Sequence, residues 1–350
     1  MQIGNREISS KLPPYIVAEI SGNHCGKLEY AIRLIDAAKE AGADAVKVQC
    51  YTPDDMTIDC AKKDFVLQDG PWKGRTLYEL YAKTHTPREW FGELFAHARG
   101  IGIEIFSSVF SPAGVDFLEQ FNPPAYKIAS FEIIDIPLIK HAASTGKPLI
   151  ISTGMADVDE IVEAMTIAGG GPTYADGDFE RYRLLACVSG YPTPIEEANL
   201  LQLTDFINLD WGISDHSTHH DVAVAATALG AQIIEKHLML DLPIQQYLPE
   251  DFDFSMRPED FATMCRRVRA IWQAMQPSKR KSEESSRQAR RSLYVVKDMK
   301  AGDRFTKDNV RSIRPAYGMS PKELDRVLQN HAAHAIEAGT ALQEEMLVPF

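Results

Sequence analysis

Two stretches decide the fold of this chain: ISDHSTHH at residues 213–220 and AQIIEKHLML at residues 231–240. Each contains a short apolar run that closes on a histidine, His216 in the first and His237 in the second. The segment between them, VAVAATALGA, is typical of a helix that ends at Gly230. A strand, a helix and a second strand form a parallel unit, so both histidines are predicted at the carboxyl ends of neighbouring strands. In parallel α/β proteins, active sites lie at that edge.

Two imidazoles at one sheet edge can hold a divalent metal and leave positions open for a substrate. The alternative is that the two histidines are unrelated and that each is bonded to a nearby carbonyl. Their position at matching strand ends favours a metal site formed by His216 and His237.

The chain on both sides repeats the alternation of strand and helix. Eight apolar segments have the length and composition of buried strands, and helical patterns separate them. They are YIVAEIS (15–21), AVKVQCY (45–51), IEIFSSVF (103–110), AYKIASF (125–131), PLIISTG (148–154), RLLACVS (183–189), LDWGISDH (209–216) and QIIEKHLML (232–240). Eight such units in about 250 residues match the size of a closed (β/α)8 TIM barrel. A doubly wound open sheet is the competing architecture, but no GxGxxG motif follows a strand here.

Three further segments complete the organisation. Residues 52–86 form a long irregular connection of the kind that is usually functional or a lid. The polar segment 277–290 follows the last barrel helix and has the composition of a linker. We therefore predict a barrel domain over residues 1–276. A small β-rich domain over 291–350 is predicted to be marginally stable alone and to gain from docking.

Composition excludes several classes of partner. The formal net charge of −12 and the isoelectric point of about 5.3 argue against a nucleic acid or an anionic membrane. The five cysteines form no CxxC pair, which indicates a reducing compartment. The first residues lack a signal pattern, and no apolar run is long enough to cross a membrane. These features predict a soluble cytoplasmic protein.

Polar side chains collect at the predicted carboxyl ends of the strands. Lys47 and Lys127, with the hydroxyls around them, form a cradle suited to a phosphate or carboxylate. The alternative is that both lysines cap helices or pair with buried acids. A lysine within an apolar strand is costly without a partner, and two of them favour an anion site. The other strand-end candidates are Glu19, Gln49, Ser107, Ser108, Ser130, Glu132, Ser152, Thr153, Ser189, Tyr191, Ser214, Asp215, Glu235 and Lys236.

Two other functions use fewer of these residues. A Schiff-base aldolase with Lys127 or Lys47 as the nucleophile leaves the histidine pair without a role. A barrel that has lost catalysis and binds sugar through the C-terminal domain requires neither the histidines nor the lysines. A metal centre beside an anion cradle uses all of them.

Several motifs in one order resemble those of the sialic acid synthase family. They are AEISGNH (18–24), ADAVKVQCYTPDDM (43–56), YKIASFE (126–132), STGM (152–155), YPTPIEEANL (191–200), GISDH (212–216) and IIEKH (233–237). The segments RRSLYVVKDMKAGDRFT (290–306) and SIRPAYG (312–318) resemble the antifreeze-like SAF domain of the same enzymes. The loop DGPWKGRTLYELY (69–81) is similar to the pseudaminic acid synthase branch in particular.

The resemblance implies an enzyme that condenses phosphoenolpyruvate with an N-acylated amino sugar, releases phosphate and forms a nine-carbon sialic-type acid. For the pseudaminic branch, the sugar is an open-chain 2,4-diacetamido-2,4,6-trideoxy-L-altrose type. An N-acetylneuraminate or legionaminate synthase is the alternative. The resemblance also implies that His216 and His237 bind Mn²⁺ or Mg²⁺. It further implies a domain-swapped homodimer, in which Arg314 of the small domain reaches the acyl group of the sugar in the partner's site.

The matching motifs carry the remaining roles. Residues expected around phosphoenolpyruvate are Lys47, Ser108, Lys127, Ser130, Ser152, Ser189 and Ser214. Residues expected to face the sugar or the attacking water are Glu19, Gln49, Glu132, Tyr191 and Asp251. Glu19 or Glu132 is expected to stabilise positive charge or take a proton from water, which makes these two, with Lys127, the predicted catalytic residues.

The chain departs from the family pattern at a few positions. Cys25-Gly26 replaces the usual Asn-Gly, and Val109 replaces a proline. Ser189 stands where the family usually has asparagine. The segment 238–255 replaces a familiar acidic pattern, and His219 and His220 follow the metal motif where small or apolar residues are common. The changes near the predicted sugar pocket point to an altered substrate.

Overall fold

A computed structural model of the chain describes residues 1–68, 72–172, 174–201, 210–245, 247, 249–278 and 281–349. The chain divides into two compact units, Met1–Gln276 and Pro277–Phe350. Several predicted segments fall in part outside the described residues, among them the loop 69–81, the strand 209–216, the segment 238–255 and the linker 277–290.

The first unit is a closed barrel of eight parallel strands, which confirms the predicted fold. The strands are buried along almost their whole length, because helices cover the outside and side chains fill the inside. Their bounds are β3 (Tyr15–Glu19), β4 (Ala45–Cys50), β5 (Glu104–Val109), β6 (Tyr126–Ile128), β7 (Leu149–Ser152), β8 (Tyr182–Cys187), β9 (Trp211–Asp215) and β10 (Ile233–His237). Neighbours in sequence pair throughout, and β10 closes on β3 with His237 opposite Glu19.

Helices follow most strands and pack their apolar faces on the barrel. In the first of them Leu34, Ile35 and Ala38 are buried, and the helix ends at Gly42 in a left-handed conformation (φ 91°). The helices of this unit are α1 (Leu28–Ala41), α2 (Pro53–Met56), α3 (Leu77–Thr84), α4 (Phe91–Ile101), α5 (Pro112–Glu119), α6 (Ile136–Ser144), α7 (Val158–Gly169), α8 (Asp221–Ala228) and α9 (Pro258–Met275). Between β8 and β9 the described residues contain a 3-10 turn at Ile195–Glu197, and residues 202–209 lie outside the description.

A short hairpin at the amino terminus closes the floor of the barrel, and the sequence pattern did not indicate it. Strand β1 (Gln2–Ile3) pairs antiparallel with β2 (Arg6–Glu7). The buried side chains of Met1, Ile3 and Ile8 join an apolar cluster inside the barrel. With the floor filled, the open end is the one at the carboxyl ends of the strands.

The connection 52–86 contains more regular structure than its sequence predicts. Helix α3 begins after Thr76, whose hydroxyl accepts a hydrogen bond from the backbone N–H of Glu79 at 3.1 Å. The Glu79 carboxylate in turn accepts from the Thr76 N–H at 3.0 Å, which completes a capping box. The expectation of an irregular connection was therefore wrong over α3. The helix is short, so its sequence pattern was not recognised as helical.

The second unit is a small β-rich domain with its own core. Helix α10 (Glu283–Arg287) precedes two antiparallel pairs, β11 (Ser292–Val295) with β12 (Val310–Ile313) and β13 (Asn330–Ala332) with β14 (Leu347–Pro349). A further short helix, α11, spans Leu324–Val327. The core is formed by Leu293, Val295, Met299, Phe305, Val310, Val327, Ala332, Ile336 and Leu342. Among the described residues of the whole chain, no helix is long and apolar enough to cross a membrane.

Candidate active site

A cavity of about 380 Å³ opens at the carboxyl end of the barrel. It brings together most of the residues that sequence reasoning singled out. Those that line it are Lys47, Gln49, Ser108, Lys127, Ser130, Glu132, Ser152, Tyr191, Ser214, His216, His237 and Asp251. Glu19 and Ser189 lie directly behind this lining, where they contact Lys47 and Ser130. Arg314 belongs to the second unit, just after β12, and its predicted role stays a prediction.

Lys47 is surrounded by acids. Its ammonium forms an ion pair with Glu19, lies 3.5 Å from Oε1 of Glu235 and donates a hydrogen bond to Oγ of Ser108 at 2.9 Å. Burial works to lower the pKa of Lys47, but the two carboxylates outweigh it and raise that pKa. Lys47 is therefore a cation whose charge is already balanced, so the alternative of pairing with buried acids holds for this lysine.

Lys127 is also fully buried, but its neighbours are neutral. It donates to Oγ of Ser152 at 2.6 Å and to the carbonyl oxygen of Ile128 at 3.0 Å. Burial lowers its pKa, and the charge of Glu235 only partly offsets that effect. Within the described part of the chain, no carboxylate lies within ion-pairing distance of Lys127. Its charge is thus the one in the cavity that is most available to an anion.

Glu235 is a site residue to which sequence reasoning gave no role. Its Oε1 accepts a hydrogen bond from Oγ of Ser214 at 3.0 Å. Burial works to raise the pKa of Glu235, but Lys127 and Lys47 outweigh it and hold that pKa low. The sequence did contain a signal for Glu235 as a site residue. Residues two apart in a strand share a face, and Glu235 is two residues before His237.

Hydroxyl groups complete the cradle between β6 and β8. Oγ of Ser130 lies 2.8 Å from Oγ of Ser189, so one of these hydroxyls donates to the other. Gly154 approaches both: a Cβ at that position would come within 2.4 Å of the Ser130 Cβ and 2.8 Å of the Ser189 Oγ. The φ of Gly154 is +50°, so this position requires glycine on both conformational and steric grounds.

The two predicted metal ligands lie side by side. The ring centroids of His216 and His237 are 5.4 Å apart. Nδ1 of His216 lies 3.1 Å from the carbonyl oxygen of Val188, an acceptor, so Nδ1 carries the proton of the ring. Burial, with a smaller contribution from His237, lowers the pKa of His216 to about 3. His216 is therefore neutral, and its Nε2 keeps a lone pair.

His237 differs from His216, because its Nδ1 makes no hydrogen bond. Its Nδ1 lies 3.3 Å from Oδ2 of Asp251, but the angle is not that of a hydrogen bond, and the atom is buried without a partner. The ring packs edge-on against Phe254, with centroids 4.9 Å apart. A buried nitrogen that lacks a partner is uncommon and marks a position where a ligand or ion can bind.

Two carboxylates differ sharply in their surroundings. Glu132 is in a 3-10 turn at Ser130–Glu132, and its Oε2 is buried without a hydrogen-bond partner. Burial raises the pKa of Glu132 to about 7. Glu19 instead accepts hydrogen bonds from the Ser21 N–H at 2.7 Å and from Nε2 of Gln49 at 3.2 Å. Glu132 is thus the carboxylate best suited to exchange a proton near neutral pH.

Two of the unusual residues near the motifs have local irregularities: a left-handed backbone at Cys25 and a buried ring nitrogen without a hydrogen bond at His220. Cys25 is half-buried with a φ of +49°, and burial raises the pKa of its thiol. Nε2 of His220 lies 3.8 Å from Oδ1 of the neighbouring Asp221. His219, His220 and Cys25 do not line the cavity, whose described lining instead includes an apolar wall from the connection 52–86.

Comparison with known proteins gives a consistent result. The model of the NeuB family matches residues 34–280, and that of the SAF domain matches residues 290–348. The chain is 42% identical to a pseudaminic acid synthase from Campylobacter jejuni subsp. jejuni, over 98% of this chain and 99% of that protein. It is 39% identical to a pseudaminic acid synthase from Helicobacter pylori, over 95% and 97% of the two chains.

A solved structure supports the same architecture. The crystal structure of an N-acetylneuraminic acid synthetase from Leptospira borgpetersenii, in complex with citrate, superposes with a TM-score of 0.68 at 28% identity. The superposition covers 82% of this chain and 94% of that chain.

Proposed function

This chain belongs to the NeuB family, and on that premise we propose that it is a pseudaminic acid synthase-like transferase. It condenses phosphoenolpyruvate with an open-chain 2,4-diacetamido-2,4,6-trideoxy-L-altrose type sugar, forms a nine-carbon acid and releases phosphate. The full-length relatives at 42% and 39% identity favour this branch over an N-acetylneuraminate or legionaminate synthase. The observation that carries the proposal is one cavity in which two lysines, several serines and a histidine pair meet a carboxyl with a raised pKa.

The phosphoenolpyruvate anion is assigned to the cradle around Lys127. Lys127 and Ser152 provide a charged and a neutral donor 2.6 Å apart, and Ser130 and Ser189 add hydroxyls just after β6 and β8. Lys47, Ser108 and Ser214 line the inner side, with Lys47 held by Glu19 and Glu235. Because the two carboxylates balance Lys47, we assign to Lys127 the main electrostatic contact with the substrate.

The histidine pair fits a divalent ion, Mn²⁺ or Mg²⁺. His216 is neutral, with its proton on Nδ1 and its Nε2 lone pair free, as a ligating histidine requires. Nδ1 of His237 is buried without a hydrogen bond, 3.3 Å from Oδ2 of Asp251. Within the described residues, no group of three or more His, Cys, Asp and Glu side chains is arranged to hold a metal, so the substrate or water has to supply further ligands. When bound, the ion acts as a Lewis acid on the aldehyde of the sugar.

The remaining residues orient the sugar and move a proton. The π electrons of phosphoenolpyruvate form a bond from C3 to the aldehyde carbon as the aldehyde C=O π bond opens, which leaves positive charge at C2 and a sugar oxygen that takes up a proton. Water adds at C2, and the tetrahedral product of that addition loses phosphate. Glu132 takes the proton of this water, since its pKa is near 7. Glu19, Gln49, Tyr191 and Asp251 are assigned to the sugar side, and Arg314 of a partner's small domain to an acyl group in a swapped dimer.

Mass spectrometry of products tests the function directly. The full-length protein is incubated with phosphoenolpyruvate, a divalent ion and a panel of hexosamine-derived sugars. We expect the mass of phosphoenolpyruvate plus sugar plus water minus phosphate, with highest yield from the doubly acetylated 6-deoxy sugar. A product only from N-acetylmannosamine would assign the chain to the N-acetylneuraminate branch, and no condensation with any sugar would refute the proposal.

A further inference from the structure

One half of the active-site cavity is apolar, and the chemistry assigned above does not use it. The connection between β4 and β5 contributes this apolar wall, which consists of Met56, Leu67, Trp72, Leu77, Leu80 and Tyr81. The other half carries the lysines, serines and histidines. A small, highly charged acid such as phosphoenolpyruvate matches the charged half, so the apolar wall is left to the sugar.

Backbone hydrogen bonds join Leu67 to Gly74 and Arg75, and Arg75 to Trp72. The N–H of Leu67 donates to the carbonyl of Arg75 at 3.0 Å, and the N–H of Gly74 donates to the carbonyl of Leu67 at 2.8 Å. A further N–H, that of Arg75, donates to the carbonyl of Trp72 at 3.2 Å. Gly74 has a φ of +86°, which permits this tight reversal. Trp72 is therefore anchored through its own carbonyl to the residues that follow it.

Ion pairs tie the same segment to the region after β10. Nη1 of Arg75 lies 3.0 Å from Oε1 of Glu250, and Lys83 forms an ion pair with the same oxygen. Burial works to raise the pKa of Glu250, but its bonds to Lys83 and Arg75 outweigh it and lower that pKa. Glu250 precedes Asp251, which lines the cavity. The apolar wall and the sugar side of the site are thus connected through one carboxylate.

The wall contains one polar group that lacks a partner. Nε1 of Trp72 is buried without a hydrogen-bond partner. The indole N–H is a donor only, and a buried one usually finds an acceptor. By contrast, the Tyr51 hydroxyl beside the wall is already bonded to the Thr84 hydroxyl at 2.8 Å. A ligand that binds against this wall can therefore supply one acceptor to Trp72, with apolar groups beside it.

We infer that Trp72 recognises an N-acyl group of the sugar. The carbonyl oxygen accepts from Nε1, and the methyl packs against the apolar wall. An N-acetyl group combines an acceptor and a methyl in this way, whereas a free hydroxyl in its place loses the methyl contact and exposes a polar group to Leu77 and Leu80. This acyl group is additional to the one assigned to Arg314, so Trp72 selects doubly acylated sugars. The inference rests on the proposed function.

Binding of unreactive ligands tests the inference. Reduction of the aldehyde gives an open-chain alditol that cannot be condensed, and its affinity is measured by calorimetry on the full-length protein with phosphoenolpyruvate and Mn²⁺ present. The doubly acetylated alditol is compared with the two alditols in which one acetamido group is replaced by a hydroxyl. The variant is Trp72→Phe, which keeps an aromatic ring and removes the donor. Trp272→Phe is the matched control, because Nε1 of Trp272 is equally unpartnered but Trp272 lines a different cavity.

We expect Trp72→Phe to weaken the doubly acetylated alditol about five- to tenfold, the effect of one lost hydrogen bond. For the wild type, one of the two singly acetylated alditols should show a similar or larger loss, and Trp72→Phe should add little to it. Trp272→Phe should match the wild type. Unchanged affinity in Trp72→Phe, an equal loss for all three alditols, or no binding of any alditol overturns the inference.

The ligand comparison on the wild type keeps the test valid if Trp72→Phe folds poorly, because equal affinities for all three alditols would already contradict selection of an acyl group. Failure of the proposed function is read separately, as the absence of a condensation product in mass spectrometry. An enzyme that forms the product but shows no acyl preference refutes the inference alone.

Discussion

The ammonium of Lys47 and the carboxylate of Glu19 form an ion pair in which the two side chains are 5% and 1% exposed. The two residues are register partners on β4 and β3, so the barrel itself places them at one level. Lys127, on β6, has serine and backbone partners instead. The two lysines of the cradle therefore differ: removal of Lys47 breaks its ion pairs with Glu19 and Glu235, whereas removal of Lys127 breaks no ion pair.

Lys47→Met is expected to destabilise the fold by about 3–5 kcal/mol, because it leaves Glu19 and Glu235 uncompensated. Lys127→Met should cost less than about 2 kcal/mol, since it breaks two hydrogen bonds and no ion pair. Both variants should lose activity. Urea unfolding of the purified proteins measures the difference. The double variant Lys47→Met with Glu19→Gln should regain part of the stability and none of the activity. Equal destabilisation by the two single variants would contradict this account.

Lys127 should form no covalent adduct with substrate. Its pKa is lowered by burial, a property that an aldolase lysine shares, so the aldolase alternative calls for a direct test. Borohydride is added during turnover, and the intact mass of the protein is measured with a Schiff-base aldolase as the positive control. We expect no mass increase. A stable adduct on Lys127 or Lys47 would support the aldolase mechanism instead.

Glu132 should set the acidic limb of the pH profile. Its pKa is raised to about 7 by burial, so the carboxylate that can accept a proton forms as pH rises through 7. The kcat/KM for the sugar should therefore increase over that range, and Glu132→Gln should lose the limb together with most of the activity. A profile that does not rise through pH 7 would rule out a base of this pKa.

The raised pKa of Glu132 also predicts that the stability of the fold decreases over the pH range in which activity increases. The folded protein holds a proton on Glu132 that an unfolded glutamate, with an ordinary pKa of 4.5, releases. Stability therefore falls as pH rises from about 4.5 to 7. Glu132→Gln should remove this cost and gain on the order of 1–3 kcal/mol above pH 7, with no gain below pH 4. Urea unfolding at several pH values checks the trend.

The barrel was predictable because each strand is an apolar run of strand length with a helical pattern beside it. The amino-terminal hairpin was not, since β1 and β2 are two residues each and their pairing depends on the cluster that fills the floor. Helix α3 left a signal in Thr76 and Glu79, spaced as in a capping box. The irregular sequence around that signal obscured it.

The sequence predicts which residues lie at the strand ends, but not which of them contact one another. The sequence places Lys47 and Lys127 at one edge, but their partners depend on register across the barrel. Glu235 illustrates the limit: it is on β10, yet it lies 3.5 Å from Lys47 on β4. Such a contact across the interior follows from the closure of the sheet, which no local pattern contains. The unpartnered indole of Trp72 is likewise visible only in three dimensions.

His216→Ala and His237→Ala should each remove the bound divalent ion and the activity. Because the fold is supported by the packed barrel, the thermal midpoint of the metal-free proteins should change little. Metal content by elemental analysis is the primary readout. His141→Ala is the control, since His141 is on α6 at the surface, where it contacts Asp116. Full metal content in His237→Ala would remove it from the ligand set.

The role of Arg314 is tested by truncation and substitution. Removal of the chain from Ser282 onward should leave the barrel folded, because the first unit ends at Gln276, but should abolish sugar turnover. Arg314→Ala should weaken use of the sugar by about 1.5–3 kcal/mol, the value of a charged hydrogen bond, and leave phosphoenolpyruvate affinity nearly unchanged. Steady-state kinetics with each substrate varied separately distinguishes the two effects. An ordinary surface arginine would produce no such loss.

Subunit mixing decides whether Arg314 acts across a dimer. His237→Ala and Arg314→Ala subunits, each impaired alone, are mixed under conditions that allow exchange, and exchange is verified with two affinity tags. In a swapped dimer, half of the sites in a mixed dimer combine both lesions and the other half combine none, because each site takes His237 from one chain and Arg314 from the other. Activity should therefore return, up to about half that of the wild type per mixed dimer. If both residues instead served the site of their own chain, every site would keep one lesion and no exchange could restore turnover.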